Sequence, residues 1–163
     1  MTMSSSDPAY EAFESTTVIA APPERVWQAL TDPELIPAYF DDSGPESDWQ
    51  VGSAVLWRME PGAEPRDAGQ VVLAADPPRL LAYTWHTYEP EIVEMFGWDD
   101  ARAEEARKEP LTQVVFRLAA VDGGTELSLV HEGFVPGSEM LAAVRTGWPE
   151  IIAGLKATAE AAP

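Results

Sequence analysis

VPGSEMLAAVRTGWPEIIAGLKATAE, residues 135–160, decides how the rest of the chain is read. Leu141, Val144, Trp148, Ile151, Ile152 and Leu155 recur at three- and four-residue spacing, which puts them on one stripe of a helix. Glu139, Arg145, Glu150 and Lys156 take polar positions elsewhere on it. It is the only long helical pattern in the sequence, and its apolar stripe needs an apolar surface to lie on. Pro149 interrupts it directly after Gly147-Trp148, where it removes a helix hydrogen bond and crowds the preceding turn. A kink or break near Thr146–Pro149 is predicted.

The segments upstream supply that surface. Leu111–Val121 and Thr125–Phe134 flank Asp122-Gly123-Gly124, whose glycines tolerate the positive φ angles of a tight hairpin. Alternation sets Val114, Phe116 and Leu118 on one face, and Leu127, Leu129 and His131 on the matching face of the partner strand. Further back, Asp67–Asp76 and Arg79–Thr87 form a pair around Pro77-Pro78, with Leu81, Tyr83 and Trp85 facing one way. Ser53–Glu60 is another strand, with Val55, Trp57 and Met59 on one side. Phe13–Ala20, rich in β-branched residues, is the first. After it Ala21-Pro22-Pro23-Glu24 opens a helix buried through Val26, Trp27 and Leu30, because proline and an acidic residue suit a first turn. Thr31-Asp32-Pro33-Glu34 repeats the signal for a second short helix carrying Leu35, Ile36, Tyr39 and Phe40. Asp41–Asp48 is an acidic, turn-rich link.

Tyr88–Pro110 breaks the strand rhythm and is read as an insertion. Asp99–Glu109 is a short solvated helix, and the patch Ile92-Val93-Met95-Phe96-Trp98 either packs down as a lid or covers a sheet edge. The domain reading is a flexible tail over residues 1–12 and one domain over 13–160, with the insertion at about 88–110. A length of 163 residues suits one core.

Twenty-eight acidic against ten basic residues give a formal net charge of -18, which repels phosphate backbones and anionic headgroups. Nucleic-acid and membrane-surface binding are poor fits to that charge. Without cysteine there is no disulfide, thiol nucleophile or zinc-thiolate site. With no basic-apolar leader and no apolar run of membrane length, a cytoplasmic location is the default expectation.

Six pieces carry a family resemblance: Ala21–Leu35 (APPERVWQALTDPEL), Val51-Gly52, Asp76-Pro77-Pro78-Arg79-Leu80, Tyr83-Thr84-Trp85, Gly124–Phe134 (GTELSLVHEGF) and Gly147-Trp148. In this order they resemble the SRPBCC superfamily, the START-like and birch-pollen-allergen-like proteins. The branch is the one akin to the C-terminal domain of the ATPase activator of the ninety-kilodalton heat-shock chaperone. The resemblance implies an α+β helix-grip fold. A curved antiparallel sheet of about six or seven strands wraps a long C-terminal helix, with two short helices after the first strand. It also implies a cavity between sheet and helix that in many relatives holds an apolar molecule, lipids among them. It does not imply a reaction, because one fold hosts many functions. The activator's N-terminal domain has no counterpart here, which weakens transfer of chaperone stimulation, while a stress-response role stays among the expectations.

The candidate ligand-binding residues are Trp57, Tyr83, Trp85, Phe116, His131, Val144, Trp148 and Ile152, with Glu91–Trp98 near an entrance. Large rings with a polar edge suit a pocket for a mostly apolar ligand, and they equally suit a filled core. His131 is the polar feature of that face, either a contact to ligand or a structural histidine held by its neighbours. His86 falls on a strand that does not neighbour His131's, so no catalytic or metal pair is expected. Arg58, Arg117 and Glu132 are strand charges that suit a solvated face or a cavity rim. Asp41-Asp42 and Asp99-Asp100 lack further ligands at metal spacing. No catalytic residue, metal or cofactor is assigned. Three functions remain open: a carrier or sensor of an apolar small molecule, a co-chaperone-like protein-interaction module, and a cyclase- or dehydratase-type enzyme using the same cavity. The oligomeric state is left as monomer or homodimer.

Overall fold

The structure, a computed structural model, describes residues 10–40, 43–58, 61–85 and 88–161. The expectations for the tail before Tyr10, for Asp41-Asp42, Met59 and His86, and for the end after Ala161 fall outside the described residues.

Among the described residues, seven strands form one antiparallel sheet: β1 (Glu11–Ile19), β2 (Gly44–Glu46), β3 (Ala54–Arg58), β4 (Arg66–Asp76), β5 (Leu80–Thr84), β6 (Gln113–Val121) and β7 (Gly124–Phe134). Their order across the sheet is β1-β7-β6-β5-β4-β3-β2. Every connection from β2 to β7 joins neighbours, and only β1 crosses over, so the sheet curls as a half-barrel. The helices are α1 (Pro23–Thr31), α2 (Pro90–Phe96), α3 (Asp100–Ala106) and α4 (Glu139–Ala161), with a 3₁₀ turn at Ile36–Ala38. α4 lies in the grip of the sheet, against β1, α1 and the 3₁₀ turn. This is the expected α+β helix-grip architecture.

The β6–β7 hairpin turns where Val121 pairs with Gly124. Gly124 has a second reason to be glycine: a Cβ there would lie 2.0 Å from the Ile19 carbonyl oxygen at the end of β1. Gly133 has φ +98° and sits beside a register shift between β1 and β7. The bulge reverses the parity of the strand. Phe134 therefore points inward, three residues after His131, where plain alternation would put it outside.

Three differences from the sequence reading have physical causes. The acidic link at 41–48 contains β2, a three-residue edge strand with Pro45 in it; an edge accepts proline because no neighbour needs its N–H. The insertion carries two helices instead of one, and α3 buries Ala103 and Ala106 while its charged face stays in water. α4 runs without interruption through Pro149, so the break does not occur. Pro149 and Arg145, whose carbonyl loses its partner, are both exposed, so water replaces the missing N–H.

Candidate functional site

The inner face of the sheet is lined by aromatic rings that the neighbouring strands β5 and β6 and, on the far side of β4, β3 place at inward positions. Tyr83 and Trp85 come from β5 and the residue after it, Phe116 from β6, and Trp57 from β3. Trp57 meets Trp85 edge-on with centroids 4.7 Å apart, and Trp85 meets Trp148 of α4 at 5.2 Å. Phe116 closes the ring of contacts against Trp148 at 6.0 Å and Tyr83 at 6.2 Å. These separations are those of favourable aromatic pairs. All eight candidate residues are buried, Val144 being the most accessible at 9%.

His131 is fully buried beside these rings. Trp148 Nε1–H donates to its Nδ1 at 3.0 Å, and Thr112 Oγ1 lies 2.9 Å from its Nε2. An indole N–H only donates, so Nδ1 is the acceptor and carries no proton in this arrangement. The proton sits on Nε2 and is donated to the Thr112 hydroxyl. The imidazole is thus held neutral between two fixed partners. Its ring also contacts Trp85 at 4.9 Å and Phe134 at 4.6 Å.

Space between sheet and α4 is unevenly distributed. Beneath the middle of α4, among Tyr39, Tyr83, Phe116, Trp148, Ile152 and Leu155, the free volume is only about 10 Å³. A groove of about 140 Å³ lies between α2 and α4. Its floor is Trp85 and Trp148, and α2 contributes Ile92 and Met95. From α4 come Met140, Val144 and Ile151, with Ala143 and Gly147 between them. A Cβ on Gly147 would touch nothing within 4 Å, so the missing side chain is open groove. Every lining residue among those described is apolar. Of the eight candidates the groove gathers Trp85, Val144 and Trp148. Tyr83, Phe116 and Ile152 border the small interior cavity, Trp57 packs behind Trp85, and His131 lines neither space.

Of the stretch Glu91–Trp98, Ile92 and Met95 line the groove; sequence reasoning did not pick out Ala143 and Gly147. Their i, i+4 spacing on the apolar side of α4 is the signal that marks a shallow place on a helix. α2 and α3 are tied down by a second aromatic cluster, in which Tyr88 and Phe96 flank Trp98 at 5.0 and 4.8 Å. Two ion pairs reach outward from it. Arg66 of β4 binds Glu91 at 2.6 Å, and Arg102, which also covers Trp98, binds Glu139 of α4 at 3.2 Å. Hydrogen bonding to Arg66 holds the Glu91 carboxyl below its ordinary range. Burial pushes the Tyr88 hydroxyl up to about 12.

Among the other charged candidates, Arg117 is exposed, Arg58 donates to the Ala63 carbonyl, and Glu132 accepts from the Gln113 amide at 2.9 Å. No group of three or more His, Asp or Glu residues among those described is arranged to hold a metal ion. No described helix is long and apolar enough to cross a membrane.

The same architecture recurs in solved structures. Protein MLL2253 from Mesorhizobium loti superposes with a TM-score of 0.68 at 25% identity, over 91% of this chain and 96% of that one. The Aha1 dimer from Colwellia psychrerythraea gives 0.66 at 20% identity, over 93% and 97%. CalU16 from Micromonospora echinospora gives 0.62 at 23%, over 94% and 80%. The last two identities support likeness of fold alone. No curated protein matches the sequence. The family profile described as Activator of Hsp90 ATPase homolog 1-like protein matches residues 20–160. The matched span runs from the end of β1 through α4, and the chain therefore belongs to the family of Activator of Hsp90 ATPase homolog 1-like proteins.

Proposed function

We propose that this protein is a binding module, carrier or sensor, for an apolar small molecule taken up between the curled sheet and α4. The site of first contact is the groove between α2 and α4. One observation carries the reading: about 140 Å³ of open space floored by two indoles and walled, among the described residues, without a single charged or hydrogen-bonding side chain other than the indoles themselves. An apolar concavity of that kind in an acidic, otherwise well-packed domain is what a small apolar ligand would cover. The aromatic residues below the groove support it by fixing the floor, and His131 acts on the ligand through Trp148, not by contact.

Native mass spectrometry of freshly purified protein, compared with the denatured mass, tests this directly. A reproducible excess mass released as an apolar compound is the expected result, and it is lost in Gly147→Leu, which fills the groove. A ligand retained in Gly147→Leu at the wild-type level would refute the location.

A second reading, a co-chaperone-like module docking on a basic chaperone or client surface, draws on the family's description and on the net charge of -18. It predicts a complex that weakens steeply with salt. A cyclase- or dehydratase-type reaction needs two ionisable groups in one pocket, and the groove lining offers neither.

A further inference from the structure

Charge around the groove is one-sided. On α4, Glu139, Ala143, Gly147 and Glu150 form one row at spacings of four, four and three, so a carboxylate stands at each end of the two small residues that open the groove. On α2, Glu91 stands beside Ile92, whereas Glu94 lies roughly a third of a turn or more around the helix from Ile92 and Met95 and faces away from the groove. The nearby cations are already engaged. Arg66 binds Glu91, and Arg102 binds Glu139 and covers Trp98. Arg145 is exposed and lies half a turn around α4 from Ala143 and Gly147. Glu150 is exposed and has no ion pair among the described residues. The rim therefore carries uncompensated negative charge, and the whole chain reinforces it with a net charge of -18.

We infer that the groove selects an aromatic cation: a single uncharged ring seated on Trp85 and Trp148, with an ammonium group at the rim beside Glu150 of α4. This rests on the proposed binding function and specifies its ligand class. The volume sets the ring size, since an apolar space of about 150 Å³ accommodates a benzene-sized molecule. The indole floor and the Met95 and Met140 thioethers favour a flat, polarizable face. A fatty acid or aryl carboxylate is disfavoured. Its anionic end would find no free donor in the lining and would stand against the acidic rim.

Three probes with the same ring and chain length separate the contributions: 2-phenylethylamine, 2-phenylethanol and phenylacetate. Binding is read at neutral pH from the indole N–H resonances of the ¹⁵N-labelled full chain. The amine is expected to bind about tenfold more tightly than phenylacetate at low salt, with the alcohol between them. That ratio should collapse toward unity near 1 M salt, where the Debye length is about 3 Å. It should also shrink in Glu150→Gln, while the alcohol is unaffected. Gly147→Leu should abolish all three without unfolding the protein, because its side chain enters open space. Equal binding of the three probes, or tighter binding of phenylacetate, would overturn cation selection and leave the apolar site standing. No response to any probe in the wild type would overturn both.

Discussion

The Trp148–His131 hydrogen bond is the place where one donor can be removed and the cost worked out in advance. Replacing Trp148 with Phe keeps an aromatic ring in the core but deprives His131 Nδ1 of its donor, in a pair exposed by only 1% and 0%. A buried polar group that loses its partner costs about 1–3 kcal/mol, and the smaller ring leaves a void worth about 1 kcal/mol more. The total, about 2–4 kcal/mol, is a large share of the roughly 5–15 kcal/mol that holds a domain folded. With a urea slope of about 2 kcal/mol per molar, the midpoint should fall by about 1–2 M. His131→Leu orphans the same bond from the other side, leaving the Trp148 N–H buried; the Thr112 hydroxyl, only half-buried, turns to water. In the double variant neither orphan exists. Urea denaturation followed by far-UV circular dichroism across the four proteins should therefore show a double variant about 1–3 kcal/mol more stable than the sum of the singles. Additivity within about 0.5 kcal/mol would refute the claim that this bond organises the site.

Other expectations are as direct. Burial raises the ionisation of Tyr39, Tyr83 and Tyr88, the last to about 12. The folded state holds these protons longer than the unfolded one, so their contribution is complete below about pH 10 and is lost as pH rises through the folded values. Absorbance at tyrosinate wavelengths should rise together with loss of circular dichroism, and ionisation of all three in the folded protein would contradict the burial. Gly147→Ala and Gly154→Ala are the same change on one helix with opposite predicted signs. Ala at 147 gains about 1 kcal/mol of helix propensity in open space, raising the thermal midpoint. Ala at 154 would put its Cβ 2.6 Å from Tyr39 Cβ. That crowding costs about 1–3 kcal/mol and should lower the midpoint. Pro149→Ala restores the missing N–H of α4 at an exposed position and should stabilise the protein by up to about 3 kcal/mol in the same melt. A lower midpoint would mean that the proline is needed for packing.

The long elements were legible in the sequence because each repeats its signal several times. α4 presents its stripe over six apolar positions, and β6 and β7 alternate around Asp122-Gly123-Gly124. What escaped was either too short to repeat or not local at all. β2 has three residues and a proline, so no alternation exists to detect. Phe134 faces inward only because Gly133 shifts the register, and a bulge is invisible until the partner strand is known. The Thr112 hydroxyl on Nε2 comes from a residue 19 positions away, just before β6, and no spacing rule would pair the two. Filling of the space below α4 is set by summed side-chain volumes from separate elements, whereas the groove depends on two small residues, Ala143 and Gly147, whose meaning appears only once α2 stands opposite them.

Trp148 links these observations, because its ring belongs to the groove floor while its N–H belongs to the core. A molecule lying in the groove touches the ring face and leaves the bond to His131 intact. A molecule entering the 10 Å³ space below must move the indole and break that bond, since nothing larger than a water fits there otherwise. The two depths of binding therefore have different spectral signatures. Shallow occupancy shifts the Trp148 ring protons and leaves its Nε1–H protected from solvent exchange. Deep occupancy releases the Nε1–H, which then exchanges quickly and moves away from its hydrogen-bonded position. A bonded N–H that survives saturation with 2-phenylethylamine would locate the ligand in the groove. A released one would mean that the aromatic core itself opens, with the lost bond, about 1–3 kcal/mol, subtracted from the affinity.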